Sequence, residues 1–300
     1  MLAIYRLGCG YCKQVAYLRF SMEVILAHEL LTARLLKKEC ISEVAQCFHF
    51  DFVVDELEDF SFVPGQFVST VAVDSRGKQQ TRAYSLAAAP AANRIALCVN
   101  RVEAGFFSNH LADLPDDEDE LLPVGGVIHI HGPHGHFTLR EPLTDSILVA
   151  TGTGVAPMRS YLQYLFPEGD AAQDRSQGKQ IWLVYGTRYE TDIYYRDEFE
   201  ALARRAPNFH YLPTLSRPAD GWTGLRGYVQ DHVARIVEER AARLGQTLPV
   251  AQVDPATPPA ELQFDIHAYI CGLNEMVAGV RDRLSGFGWH RKQIVFERYD

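Results

Sequence analysis

The chain has 300 residues, 47% hydrophobic and 22% charged, which excludes a disordered polymer and favours two domains over a single core. Its net charge of −9 excludes a global basic field for nucleic acid or anionic lipid. It contains no uninterrupted apolar run of about 18 residues, so no membrane insertion is expected.

Residues 1–31 read as an N-terminal extension. Arg6, Lys13 and Arg19 are scattered among apolar residues ahead of an amphipathic run from Met22 to Leu36, unlike the grouped charges and clean apolar core of a signal peptide. A helix is the expectation there, with Met22 as an alternative start. Cys9 and Cys12 form a C-x-x-C pair with no strand before it, so a redox role is not expected, and one pair cannot close a four-thiolate metal or iron–sulfur site. Cys40, Cys47, Cys98 and Cys271 read as free thiols of a reducing compartment, which places the chain in the cytoplasm.

From residue 32 to 142 short β-type runs alternate with turns. Strands are expected at Thr32–Lys38, Ala45–Val54, Gln66–Val73, Gln80–Leu86, Arg94–Asn100 and Val127–His131. Turns fall at Pro64-Gly65, Ser75-Arg76-Gly77 and Gly125-Gly126, and the acidic run Asp116–Glu120 reads as a solvated loop. Such a succession predicts an antiparallel β-barrel or sandwich.

The pattern changes near Glu141–Asp145, and residues 143–300 alternate strand and helix. Strands are expected at Ser146–Ala150, Gln180–Tyr185, Phe209–Leu215, Ala268–Cys271 and Gln293–Glu297. Helices are expected at Ala156–Leu165, Tyr194–Arg205, Val229–Leu244 and Glu275–Leu284, with a surface insertion over Gly245–Ala260. This alternation predicts an α/β domain with a parallel sheet covered on both faces.

Chemistry concentrates at the strand ends. Thr151-Gly152-Thr153-Gly154-Val155-Ala156-Pro157 leaves the first α/β strand as a glycine-rich turn and opens a helix, with Pro157 where a missing N–H costs nothing. Small residues let the backbone approach a diphosphate, and the helix start offers free N–H groups. The third glycine of a Rossmann fingerprint is absent. The next strands run into Gly186-Thr187-Arg188 and Leu215-Ser216-Arg217, with Arg226 beyond. No carboxylate stands where an NAD site would hold the ribose hydroxyl, and arginines suit a 2′-phosphate, so NADP(H) is favoured over NAD(H). In the first half, Arg82, Tyr84 and Ser85, together with Gly105-Phe106-Phe107-Ser108, offer a cation, a flat ring and a turn for a second diphosphate.

Together these segments resemble the ferredoxin–NADP(+) reductase superfamily over residues 32 to 300. Arg82-x-Tyr84-Ser85 resembles its flavin motif, which implies that Arg82 meets the FAD diphosphate, Tyr84 packs on the isoalloxazine and Ser85 lies beside N5. Leu97-Cys98-Val99-x-Arg101 and Gly105–Ser108 fall where its pyrophosphate turn and short helix begin, and Gly132-Pro133-x-Gly135-x-Phe137 matches the close of the flavin domain. Gly152–Pro157, Val184-Tyr185-Gly186 and Tyr195-x-x-Glu198-Phe199 match the nicotinamide-dinucleotide half. Tyr269-Ile270-Cys271-Gly272-Leu273-Asn274-Glu275-Met276 resembles the segment that brings a cysteine beside the nicotinamide, and Glu297-Arg298-Tyr299 resembles the acidic–aromatic ending whose ring stacks on the flavin. Plant-type members end at the tyrosine, whereas Asp300 follows here.

The resemblance implies an FAD-dependent oxidoreductase that exchanges hydride with NADP(H) and single electrons with a separate ferredoxin or flavodoxin. Ser85, Cys271, Glu297 and Tyr299 would surround the hydride path. Alternatives are the NADH-dependent reductase component of an oxygenase, a reductase of small acceptors, and a flavin-holding sensor without turnover. The chain lacks the C-x4-C-x2-C spacing of a fused plant-type [2Fe–2S] domain, so an iron–sulfur partner would be another polypeptide. His129, His131, His134 and His136 lie close in sequence, but no metal is expected.

Overall fold

The computed structural model describes residues 30–115, 126–169, 174–249, 254, 257–258 and 262–299. Residues 1–29 of the extension, with Cys9 and Cys12, the acidic run Asp116–Glu120, Gly125, half of the expected insertion over Gly245–Ala260, and Asp300 lie outside them.

The first sheet contains β1 (Leu31–Ser42), β2 (Cys47–Val54), β3 (Phe67–Val73), β4 (Gln79–Ser85), β5 (Arg94–Asn100) and β6 (Val127–His134), in the order β4-β3-β6-β1-β2-β5. All its pairings are antiparallel. The sheet closes on itself where Leu86 bridges Leu97 and the Ala87 N–H donates to the Ala96 carbonyl at 2.8 Å, giving the barrel. Alternation makes its interior: Leu31, Ala33, Leu35, Phe50, Phe52, Val54, Ile95, Leu97, Ile128 and Ile130 point inward. Helix α1 (Phe106–Ala112) follows β5.

Two strand bounds differ from expectation. The strand expected at Thr32–Lys38 is present and runs from Leu31 to Ser42, with Leu31, Ala33 and Leu35 alternating with outward Thr32 and Arg34 on a period of two. Strand β2 starts at Cys47, not Ala45, because the turn before it places Gln46 at φ 48°.

The second sheet contains β7 (Asp145–Thr151), β8 (Ile181–Thr187), β9 (Phe209–Leu215), the short β10 (Leu225–Arg226), β11 (Ile266–Gly272) and β12 (Ile294–Arg298), in the order β10-β9-β8-β7-β11-β12. Every pairing is parallel, and β7 and β11 are near-continuous apolar runs, as strands buried on both faces require. Helices α2 (Val155–Leu165) and α3 (Arg196–Arg205) cover one face; α4 (Val229–Arg243) and α5 (Asn274–Gly286) cover the other. Helix α3 begins at Arg196 rather than Tyr194, because Tyr195 adopts a left-handed conformation at φ 56°. No helix among the described residues is long and apolar enough to cross a membrane.

The barrel docks on the α2–α3 face. Cys47, Ala96, Cys98 and Phe137 from the barrel side share one buried cluster with Tyr161, Leu165 and Phe199. Strand order reverses beside β7: β8 and β9 extend to one side, β11 and β12 to the other. Open parallel sheets form their ligand crevice beyond the carboxyl ends of the strands at such a switch point.

Candidate active site

Thr151 ends β7, Gly272 ends β11, and the loop Gly152–Gly154 turns between them into α2. The strands fix the neighbours: Cys271 pairs with Ala150 on one side and with Glu297 on the other. Absent side chains let the loop lie against β11. A Cβ on Gly154 would strike the Cys271 carbonyl, and one on Gly272 would strike Met276 and the Thr151 hydroxyl. Gly152 sits at φ 52°, a conformation that favours glycine, and its carbonyl accepts the Tyr185 hydroxyl at 3.1 Å. Pro157 is buried in the first turn of α2.

Tyr299 lies on this loop. Its hydroxyl donates to the Thr151 carbonyl at 2.6 Å and accepts from the Gly154 N–H at 3.1 Å. Burial pushes its phenol up to about 12. Glu297 points from β12 to the barrel and accepts a hydrogen bond from the Ser85 hydroxyl at 3.3 Å, across 212 positions of sequence. Burial raises the Glu297 carboxyl, against the opposing Ser85 hydrogen bond, and burial together with the Glu297 charge raises the Cys271 thiol. Ser85, Cys271, Glu297 and Tyr299 therefore meet where the barrel faces the parallel sheet.

On the barrel side, Tyr84 is half-buried against the core, and burial pushes its phenol up to about 12. Arg82 is exposed on the same strand. Phe106 is exposed at the start of α1, while Phe107 and Ser108 are buried. The Ser108 hydroxyl closes its own turn, accepting from the Val102 N–H at 3.0 Å and donating to the Gly105 carbonyl at 3.3 Å. The Val99 side chain lies in the barrel core, which leaves only its main chain for a ligand.

The arginines sit together at the carboxyl ends of neighbouring strands. The Arg217 N–H donates to the Arg188 carbonyl and the Ser216 N–H to that of Thr187, both at 3.0 Å. Arg226 pairs with Leu215 on β9, and its guanidinium donates to the Trp222 carbonyl at 2.7 Å. All three side chains are exposed, and none forms an ion pair among the described residues. Trp222 is 8% exposed; its indole N–H donates to the Leu225 carbonyl at 2.8 Å, and the Arg196 guanidinium lies 5.7 Å from its ring.

The fit to cofactors has a direct test in the loop. The Thr151 hydroxyl is buried with no hydrogen-bond partner, a costly state that a polar ligand group at the loop would relieve. With the missing side chains at Gly152 and Gly272, this fits a dinucleotide. Ser85, bonded to Glu297 of β12 across the seam, with Tyr84 beside it on β4, fits a flat ring at the barrel edge. Among the described residues no group of three or more His, Cys, Asp or Glu is placed to hold a metal.

Sequence reasoning missed Arg159 of α2. It is nearly buried between the two halves, where it pairs with Glu198 at 2.7 Å and reaches the Ala87 carbonyl at 2.6 Å. Glu198 was visible as part of a motif; the arginine, inside an amphipathic helix, looked like any surface cation.

An oxidoreductase FAD-binding domain family matches residues 32–139, and an oxidoreductase NAD-binding domain family matches residues 148–282. A ferredoxin–NADP reductase of Sorangium cellulosum is 41% identical over 245 residues, covering 80% of this chain and 86% of that protein. The electron transfer component of toluate 1,2-dioxygenase from Pseudomonas putida is 26% identical over 244 residues, and the match spans 60% of its length. The fold matches a ferredoxin–NADP(+) reductase from Neisseria gonorrhoeae with bound FAD and NADP, with a TM-score of 0.65 at 21% identity, over 90% of this chain and 98% of that one. The two halves thus define a flavoprotein oxidoreductase with an FAD-binding barrel and an NAD(P)-binding α/β domain. The chain belongs to the ferredoxin–NADP reductase family.

Proposed function

We propose that this chain is an NADP(H)-dependent reductase of a separate one-electron carrier, a ferredoxin or flavodoxin, working in a reducing cytoplasm. The observation that carries the reading is the meeting of Ser85 from the barrel with Glu297, Cys271 and Tyr299 at the switch point, beside an unpartnered Thr151 hydroxyl. Its four described cysteines are free thiols, which suits that compartment.

Arg82 and the Gly105–Ser108 turn are assigned to the FAD diphosphate, and Tyr84 to the flat ring. Bound FAD supplies the chemistry that joins two-electron to one-electron transfer. Thr151, Gly152, Thr153, Gly154 and Pro157 form the nicotinamide-dinucleotide loop, bounded by Gly272 and Met276. Arg188, Ser216, Arg217 and Arg226 take the 2′-phosphate, a planar fork being suited to that anion. Ser85, Cys271 and Glu297 orient the nicotinamide ring and keep water from the transfer path. Tyr299 gives up its bonds to Thr151 and Gly154 when the nucleotide enters. The weak match to an oxygenase electron transfer component supports a second reading, an NADH-dependent reductase of an oxygenase partner.

Anaerobic reduction of the purified, FAD-loaded protein by matched low concentrations of NADPH and NADH tests this. Bleaching by NADPH in preference is the expected result; preference for NADH moves the assignment to the oxygenase-type reading. No bleaching by either nucleotide defeats both. Ser85→Ala and Glu297→Ala should each slow flavin reduction by about 10²-fold with FAD still bound. Parent-like rates in both would remove them from the transfer path.

A further inference from the structure

Helix α2 touches both halves of the molecule at once. The glycine-rich loop leads directly into its first turn. One and a half turns later, three side chains grip three successive residues just beyond Ser85. Arg159 donates to the Ala87 carbonyl at 2.6 Å, Ser160 donates to the Ala88 carbonyl at 2.7 Å, and Gln163 accepts the Ala89 N–H at 3.1 Å. The grip is itself braced. Glu198 of α3 binds Arg159 at 2.7 Å and Gln163 at 3.0 Å, and the Arg159 guanidinium lies 4.6 Å from the centre of the Tyr195 ring.

Tyr195 shows that the arrangement is built rather than incidental. Its left-handed backbone is unfavourable for an aromatic residue, yet its hydroxyl is held 2.9 Å from His49 Nδ1 on the barrel and its ring is covered by Arg159. The Arg159 side chain is only 14% exposed, so the Glu198 carboxylate and the Ala87 carbonyl take the place of water around its guanidinium.

We propose that Arg159, supported by Ser160 and Gln163, is a positioning residue that sets the separation between the nicotinamide and flavin sites by locking α2 to residues 87–89. This rests on the functional reading above. The span is short on both sides: Gly154 precedes Arg159 by roughly 7.5 Å of helical rise, and Ala87 follows Ser85 by two residues. The first linker is helix, and the second is one residue, Leu86, pinned to β5 by its bridge to Leu97 and followed by the Ala87 N–H bond to the Ala96 carbonyl, so a shift at the grip moves one reacting site against the other. Hydride transfer falls steeply with misplacement, by about 10²-fold per ångström.

The test compares FAD-loaded parent, Arg159→Met and Arg159→Lys. Arg159→Met is expected to retain FAD and to hold its NADPH KM within about threefold, while flavin reduction slows about tenfold or more and the long-wavelength nicotinamide–flavin charge-transfer absorbance weakens. Arg159→Lys can still reach the Ala87 carbonyl but cannot fork to Glu198, and should recover part of both. A reduction rate and charge-transfer absorbance within about twofold of the parent in Arg159→Met would overturn the proposal.

Hydrogen exchange supplies a readout that needs no nucleotide. In Arg159→Met the amides of residues 87–89 and of the Gly152–Gly154 loop should gain exchange together; faster exchange at residues 87–89 alone overturns the coupling. If Arg159→Met does not fold, Ser160→Ala carries the same paired measurements, with smaller changes of the same sign expected and parent-like values refuting the proposal. A parent protein that neither nucleotide reduces would defeat the functional reading alone, and the exchange data would still decide the grip.

Discussion

Glu297 shows how one side chain can join chemistry to stability. Burial favours its neutral form, so its folded pKa lies above the ordinary carboxylate value of about 4.3. A group raised in this way contributes stability that is fully present below the unfolded value and is lost as pH rises through the folded one. Glu297→Gln keeps the shape and removes the titration. The melting temperature of the variant relative to the parent should therefore climb between about pH 4 and pH 7, by ~2–4 °C. A difference that stays constant across that range would mean that the carboxylate is solvated after all. Single residues were unevenly legible at this scale. Ser85, Cys271 and Glu297 were visible as motif positions, but the Tyr299 hydroxyl on the Gly154 N–H joins residues 145 apart, which no local pattern can announce. Arg159 was invisible for the same reason: its partners lie 72 and 39 positions away.

Among the elements, the loop between β7 and α2 depends most on what it lacks. Gly154 has an ordinary helical conformation, at φ −61°, so its requirement for glycine is steric and comes from the Cys271 carbonyl. That carbonyl belongs to a strand paired on both sides and cannot retreat. Gly154→Ala should overpack the junction by about 1–3 kcal/mol and push the loop off β11. A lowered denaturation midpoint with an unchanged slope and weakened NADPH binding are the expected results, and a parent-like midpoint would show that the loop has room to shift. The strand and helix assignments agree with the sequence expectations to within a few residues at most ends, because buried parallel strands and amphipathic helices carry their own periods. The exceptions are strand β1 beyond Lys38, where exposed Glu39, half-buried Cys40 and Ile41 and buried Ser42 break the alternation, and two-residue β10, too short to have a period at all.

For the whole molecule, the two halves are held by hydroxyls as well as by apolar packing. The Tyr161 hydroxyl of α2 donates to the Phe137 carbonyl, and the Arg140 N–H donates to the Tyr269 hydroxyl of β11 at 2.8 Å. Both tyrosines are fully buried, so each lost hydroxyl strands a main-chain group. Tyr161→Phe combined with Tyr269→Phe is expected to cost about 2–4 kcal/mol and to loosen the barrel from the parallel sheet. Calorimetry should then resolve two transitions where the parent gives one; a single transition at the parent temperature would assign the interface to packing alone. The fold class was legible from the change of pattern near Glu141–Asp145, whereas the docking face was not, since it is made by tyrosines and an arginine that any surface could carry.

Trp222 adds a consequence for the laboratory bench. Arg226 holds its carbonyl, Arg196 lies over its ring, and it is buried beside the strand ends assigned to the phosphate. The other indoles stand elsewhere, Trp182 stacked on His210 and Trp289 packed against the α4–α5 face. An anion that draws Arg226 away must alter the surroundings of that one indole, so the protein carries its own optical gauge of which nucleotide it has chosen. Ultraviolet emission could follow a titration with a phosphorylated adenosine fragment before any electron has moved.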